Sequence, residues 1–147
     1  TEAGRSLKVK IKLNPIRQFV DRKRVIVVDD SIVRGNTAKN RVKLLRSAGA
    51  KEVHMRISCP PHISPCFYGI DFPSKKELLA ANSSMEEIKK FLDVDTLGYL
   101  SLNGMLAATT QSSHDFCAAC FTGNYPTEIF DEVDKFKLEN KRKFFGL

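Results

Sequence analysis

The sequence predicts an α/β fold: a partial parallel sheet flanked by helices, followed by a C-terminal extension. Three observations predict it. A Val- and Ile-rich run at residues 24–28 ends in the acid pair Asp29-Asp30. Helical spacing then appears at residues 38–48, with Ala38, Val42, Leu45 and Ala48 on one face. Alternation follows at residues 52–58, where Val53, Met55 and Ile57 fall on one side. Strand, loop, helix and strand in so short a span form a βαβ unit, which implies a right-handed crossover and parallel strands.

Each element has its own signals. Residues 24–28 read as a short buried strand, because charged residues flank a β-branched core. Gly49 suits a helix stop after residue 48. Cys59-Pro60-Pro61 ends the second strand, and residues 62–71 form a loop. Residues 75–81 and 85–92 read as two short helices, with Ser74 and Ser83 or Ser84 as caps. Residues 98–102 suit a third strand and 104–110 a short helix. Residues 111–126 are small and polar, as in a loop, and 128–144 are charged and helical or partly disordered. The organisation is therefore a sheet-bearing part over residues 1–110 and an extension over 111–147.

Composition narrows the function classes. The chain has a net charge of +7, concentrated at residues 5–24 and in the tail, where Lys135, Lys137, Lys141, Arg142 and Lys143 cluster. Such a balance suits small phosphorylated ligands or a solvated face. No interleaved aromatic and basic surface points to nucleic acid. No apolar run is long enough to cross a membrane, and no apolar leader is visible. A cytoplasmic protein is expected, with a plastid as the other compatible compartment. Four cysteines without a secretion signal favour reduced thiols or a metal site over disulfides. The chain opens at Thr1 without an initiator Met, which suggests a piece of a longer protein or a processing boundary.

The acidic turn carries the chemistry. In an open parallel sheet, ligands sit beyond the carboxyl ends of the strands, where Asp29 and Asp30 fall. Adjacent carboxylates there suit a vicinal diol, or a hydrated Mg²⁺ held on that diol. The chain then turns through Ser31, Ile32, Val33 and Arg34 and enters a helix near Gly35-Asn36-Thr37. Backbone amides in such a turn, with the helix dipole behind them, cradle an anion. Gly35 permits close approach, and the Ser31 and Thr37 hydroxyls add donors. Acids for a diol and an anion cradle a few residues later fit a ribose 5-phosphate. A response regulator also carries an acid pair after a Val-rich strand. It needs a phospho-accepting Asp at a later strand end, where this chain has Arg56-Ile57-Ser58-Cys59. That reading is rejected.

The turn at residues 25–37 resembles the phosphoribosyl-pyrophosphate (PRPP) loop of type I phosphoribosyltransferases. Three neighbouring stretches narrow the resemblance. They are Lys12-Leu13-Asn14-Pro15, Pro65-Cys66-Phe67-Tyr68-Gly69-Ile70-Asp71, and Cys120-Phe121-Thr122-Gly123-Asn124-Tyr125-Pro126-Thr127-Glu128. Together they resemble the iron–sulfur-containing glutamine PRPP amidotransferases over roughly residues 10–129. The resemblance implies a glycosyltransferase that makes 5-phosphoribosylamine, glutamate and pyrophosphate from PRPP, glutamine and water, the first step of purine synthesis. It assigns Asp29 and Asp30 to Mg²⁺ and the ribose hydroxyls. Ser31, Val33, Arg34, Gly35, Asn36 and Thr37 would hold PRPP or an inhibitory purine nucleotide. Residues 5–12 would end a mobile loop over pyrophosphate. The glutaminase domain and its nucleophile fall outside this chain, and no catalytic base is evident within it. A homo-oligomeric full-length enzyme is implied, with the fragment alone inactive.

On spacing alone, Cys59, Cys66, Cys117 and Cys120 form a candidate zinc or iron–sulfur set. The resemblance instead implies Cys66, Cys117 and Cys120 as three ligands of a 4Fe-4S cluster, the fourth lying outside the chain. Cys59 then remains a strand-end thiol. His54, His62 and His114 are scattered and suggest no catalytic group. Two rivals from other classes are a PRPP-sensing regulator and a zinc-binding interaction module. A regulator would be expected to carry a DNA-binding helix pair, and none is visible.

Overall fold

The computed structural model describes residues 14–70, 74–109, 112 and 115–129. The predicted basic stretch at residues 5–12, His114 and nearly all of the predicted tail helix lie outside them.

A single helical turn, α1 (Arg17–Val20), precedes strand β1 (Arg24–Asp29). Helix α2 (Asn36–Ser47) then leads to β2 (Glu52–Ile57). A 3₁₀ turn (Lys75–Glu77) runs into α3 (Leu79–Asn82) and α4 (Met85–Leu92). Strand β3 (Thr96–Tyr99), α5 (Leu102–Ala107) and α6 (Ala119–Thr122) complete the order.

The three strands are parallel, in the order β1-β2-β3. Val25 faces Val53 and Asp29 faces Ile57, while His54 faces Thr96. Two successive right-handed crossovers that step in the same direction put both sets of helices on one face. Val53, Met55 and Ile57 of β2 point to that face and pack with Val42, Ile88 and Leu92 in one buried core. Each such side chain contributes about 1.5–3 kcal/mol by leaving water.

The same topology corrects the expectation of a buried first strand. Among the described residues β1 is an edge strand, and its outward residues Ile26 and Val28 are 67% and 72% exposed. Only its other face, with Val25 and Val27, packs against the core. A β-branched run reports compatibility with a sheet but not which of its faces is covered.

Helix ends follow local chemistry. α2 closes at Gly49, φ +96°, whose amide donates to Arg46 O at 3.0 Å while Ala50 N–H reaches Leu45 O at 3.1 Å. The positive φ favours glycine there, and a Cβ would also displace the Asp21 carboxylate. α4 opens with a reciprocal capping box: Glu87 N–H donates to Ser84 Oγ at 3.3 Å, and Ser84 N–H donates to Glu87 Oε2 at 2.7 Å. The Ser84 N–H, and then the Ser84 hydroxyl at 2.8 Å, hold the Glu87 carboxyl below its usual range.

Other boundaries moved. Ser74 makes no side-chain cap, and the helix expected at residues 75–81 splits into a 3₁₀ turn and the four residues of α3. β3 begins two residues before the expected strand, because Asp95 pairs with Val53 and draws Thr96 into register. The stretch read as a loop at residues 111–126 contains α6.

Candidate functional site

The loop after β1 turns sharply because Gly35 adopts φ +77°, a conformation that strains other residues. Gly35 is the N-cap of α2, and no side chain caps that helix. Its first amides are therefore left to the solvent side of the turn or to a ligand. Residues 29–41 all line one open cleft of about 940 Å³. Every residue predicted to bind PRPP falls in it: Asp29, Asp30, Ser31, Val33, Arg34, Gly35, Asn36 and Thr37.

The two acids are held differently. Asp29 points toward α2, where Arg41 Nη1 forms a half-buried ion pair with its Oδ2. Asp30 Oδ1 accepts the Ser31 N–H at 2.7 Å. The acid pair is thus held by the Arg41 cation and by the amide and hydroxyl of Ser31, and Arg41 tempers the negative charge at the mouth of the cleft. Sequence reasoning missed Arg41. The signal was present, since Arg41 is one turn beyond Thr37 and so shares its helix face.

Two further contacts were not readable. Arg34 pairs with Glu77 at 2.5 Å, and Lys39 Nζ sits 4.1 Å from the centre of the Phe91 ring. Leu79 and Phe91 pack directly against Gly35.

The cysteine-bearing segments meet near Asp30, whose charge is felt by Cys59. Ile63 and Ser64 both donate backbone N–H groups to Cys120 O, at 3.0 and 3.1 Å. Tyr125 Oη donates to Pro65 O at 2.8 Å, and Tyr68 Oη lies 2.9 Å from Thr127 Oγ1. His62 stacks on Phe121 with ring centres 4.7 Å apart, and Cys59 Sγ lies 3.8 Å from His62 Nε2. Burial raises the Cys59 thiol to about 11, with Asp30 and Cys120 adding to it. Burial also raises the Cys120 thiol, and Cys66 and Cys117 push it the same way. Burial lowers His62, against an opposing pull from Asp30.

The donor chemistry suits three corners of a thiolate-held cluster, since Cys66, Cys117 and Cys120 form no disulfide and Cys120 feels the charge of each of the other two. Among the described residues, however, no three His, Cys, Asp or Glu side chains converge tightly enough to hold a metal ion. For Mg²⁺, the oxygen pair of Asp29 and Asp30 has the right hardness. No helix among the described residues is long and apolar enough to cross a membrane.

No protein-family profile matches the chain. Individual relatives do. The amidophosphoribosyltransferase of Methanocaldococcus jannaschii is 54% identical over 130 residues, 88% of this chain and 27% of the relative. That of Synechococcus elongatus is 49% identical over 138 residues, 94% of this chain and 28% of the relative. The chain is an amidophosphoribosyltransferase homologue. A solved structure agrees: glutamine PRPP amidotransferase from B. subtilis, complexed with ADP and GMP. It superposes with a TM-score of 0.74 at 49% identity, over 81% of this chain and 27% of that one. The chain thus spans about a quarter of the length of these relatives, and the parallel sheet with flanking helices is that of the amidotransferase fold.

Proposed function

We propose that this chain is the PRPP-binding part of an amidophosphoribosyltransferase, a glycosyltransferase that forms 5-phosphoribosylamine from PRPP and glutamine. One observation carries the reading: the acid pair and the glycine-hinged turn line a single cleft at the carboxyl end of a parallel strand. Asp29 and Asp30 take the ribose hydroxyls. Ser31, Arg34, Asn36 and Thr37, with the amides around Gly35, take the 5-phosphate. Gripping both ends of the pentose fixes the anomeric carbon for displacement of pyrophosphate, and positioning of that kind accounts for much of a transfer reaction's rate.

Asp29 and Asp30 are the residues that would hold Mg²⁺, and the ion would supply positive charge beside the pyrophosphate. Ammonia reaches the anomeric carbon from glutamine hydrolysed by residues outside this chain. A purine nucleotide carries the same ribose phosphate and competes for the same cleft, in keeping with the ADP and GMP of the B. subtilis complex. Cys66, Cys117 and Cys120 would be three thiolate ligands of a 4Fe-4S cluster, and such a cluster would supply a structural link between the loop after β2 and the segment around α6. The intact enzyme is a homo-oligomer of the cytoplasm or of a plastid.

The test is the double substitution Asp29→Asn with Asp30→Asn in the intact gene product. PRPP turnover should vanish while circular dichroism stays unchanged. Retained turnover would refute the assignment, and absence of turnover in the unsubstituted protein would favour a PRPP-sensing regulator. Iron content and visible absorption of the anaerobically purified protein separate the cluster from a zinc site.

A further inference from the structure

Arg34 and Glu77 lie 43 residues apart in sequence and meet at the edge of the cleft. Arg34 donates from Nε and Nη2 to one carboxylate oxygen, Glu77 Oε2, at 2.6 and 2.5 Å. Three more contacts join the same two segments. Leu79 N–H donates to Val33 O at 2.9 Å. A Cβ on Gly35 would lie 2.6 Å from Leu79 Cδ2 and 3.0 Å from Phe91. Lys39 Nζ caps the Phe91 ring from the first turn of α2. Residues 75–92 therefore form a backing surface for the turn.

The ion pair adds little to folding. Its side chains are 56% and 34% exposed, and pairs as wet as this contribute at most about 1 kcal/mol. Its geometry is nevertheless specific. A guanidinium has about five N–H donors in a rigid plane, and Glu77 engages one edge of that plane. The remaining donors are then fixed in direction, beside a turn whose amides already suit an anion.

Resting on the PRPP reading above, we propose that Glu77 is a positioning residue: it aims Arg34 so that the free guanidinium donors meet the sugar's 5-phosphate. Glu77 itself touches no substrate. Its influence passes wholly through Arg34, which sets it apart from a residue that merely supports the local fold.

The experiment is a double-mutant cycle in the intact gene product, read by PRPP kinetics and by inhibition with ribose 5-phosphate. Glu77→Ala should raise KM for PRPP, and the inhibition constant of ribose 5-phosphate, by about tenfold, the loss expected for one misaligned charge-assisted hydrogen bond. The kcat should hold within about twofold, because the 5-phosphate is remote from the bond that breaks. Glu77→Gln keeps the acceptor and should recover most of the loss. In an Arg34→Ala background, Glu77→Ala should change neither constant. An unchanged KM in Glu77→Ala overturns the inference, as does an equal KM increase in the Arg34→Ala background. If Glu77→Ala does not fold, the cycle is run with Glu77→Asp, too short to reach Arg34, under the same criteria. Absence of PRPP turnover in the unsubstituted protein would instead remove the underlying reading.

Discussion

The acidic cleft and the cysteine-bearing segments are built by opposite means. Residues 29–41 form one contiguous strand end, turn and helix start, and their positions follow from local backbone geometry. The cysteine side joins Cys59 and Cys66 to Cys117 and Cys120 across a long stretch of chain. Among the described residues, the polar contacts across it include two amides on Cys120 O, the Tyr125 bond to Pro65, and the Tyr68 contacts with Thr127. Closing a long loop costs entropy before any contact offsets it. A local site can therefore be shaped before ligand arrives, whereas a non-local one gains most from a cross-link such as a metal cluster. Stability should be lower on the cysteine side.

The largest expected contrast lies within the cysteine side. In metal-free, reduced protein at pH 8, iodoacetamide should label exposed Cys117 at least about a hundredfold faster than Cys59. Only the thiolate reacts, and a thiol raised to about 11 is about 0.1% ionised at that pH. Peptide mapping by mass spectrometry reads the ratio. Comparable rates would mean that the pocket around Cys59 and His62 opens freely, and that the region is far looser than its contacts suggest.

A pair of glycine substitutions sharpens the comparison across regions. Gly35 and Gly123 have nearly the same φ, +77° and +78°. Backbone strain on replacement by alanine should match, at about 1 kcal/mol. Their surroundings differ. A Cβ at Gly35 would meet Leu79 at 2.6 Å, whereas at Gly123 its neighbour is Ser64 Oγ at 3.4 Å, an ordinary contact. Gly35→Ala should therefore cost about 3 kcal/mol in denaturant unfolding and Gly123→Ala about 1 kcal/mol. Equal losses would show that the turn is not packed against residues 79–91 as tightly as described.

Much of the cleft was legible because its information is local. A β-branched run, two acids, a glycine and helical spacing fix the order strand, turn, helix, and the anion-facing amides follow from that order. Burial of β1 was misread because coverage of a strand depends on strand order, which periodicity does not encode. Arg41 was within reach by helix spacing from Thr37. Glu77, Leu79 and Phe91 were not, since nothing in residues 29–41 marks which distant segment packs behind the turn. On the cysteine side, the spacing Cys117-x₂-Cys120 hinted at a metal pair, but the bonds from Ile63 and Ser64 to Cys120 O had no sequence signature.

The smallest expected effect concerns acid. Asp95 Oδ2 accepts Val53 N–H at 2.6 Å and Arg46 Nη2 at 2.7 Å, joining the starts of β2 and β3 to the end of α2. The Val53 amide first, and then Arg46, hold its carboxyl below the usual value of 3.8. A depressed carboxyl contributes stability that is fully present above its unfolded value. That stability is lost as pH falls through 3.8 toward the folded value. Because Asp95 is 37% exposed, water screens the interaction and the contribution stays below about 1 kcal/mol. Asp95→Asn should therefore flatten the stability curve below pH 3.8 and leave the protein less stable than its parent at pH 7, by that same small amount. The loss should appear in amide exchange of β2 and β3 and not in that of residues 117–122, because among the described residues the Asp95 carboxylate bonds Val53 and Arg46. A parallel loss of protection there would mean that the two regions unfold as one unit, and the distinction between them would fail.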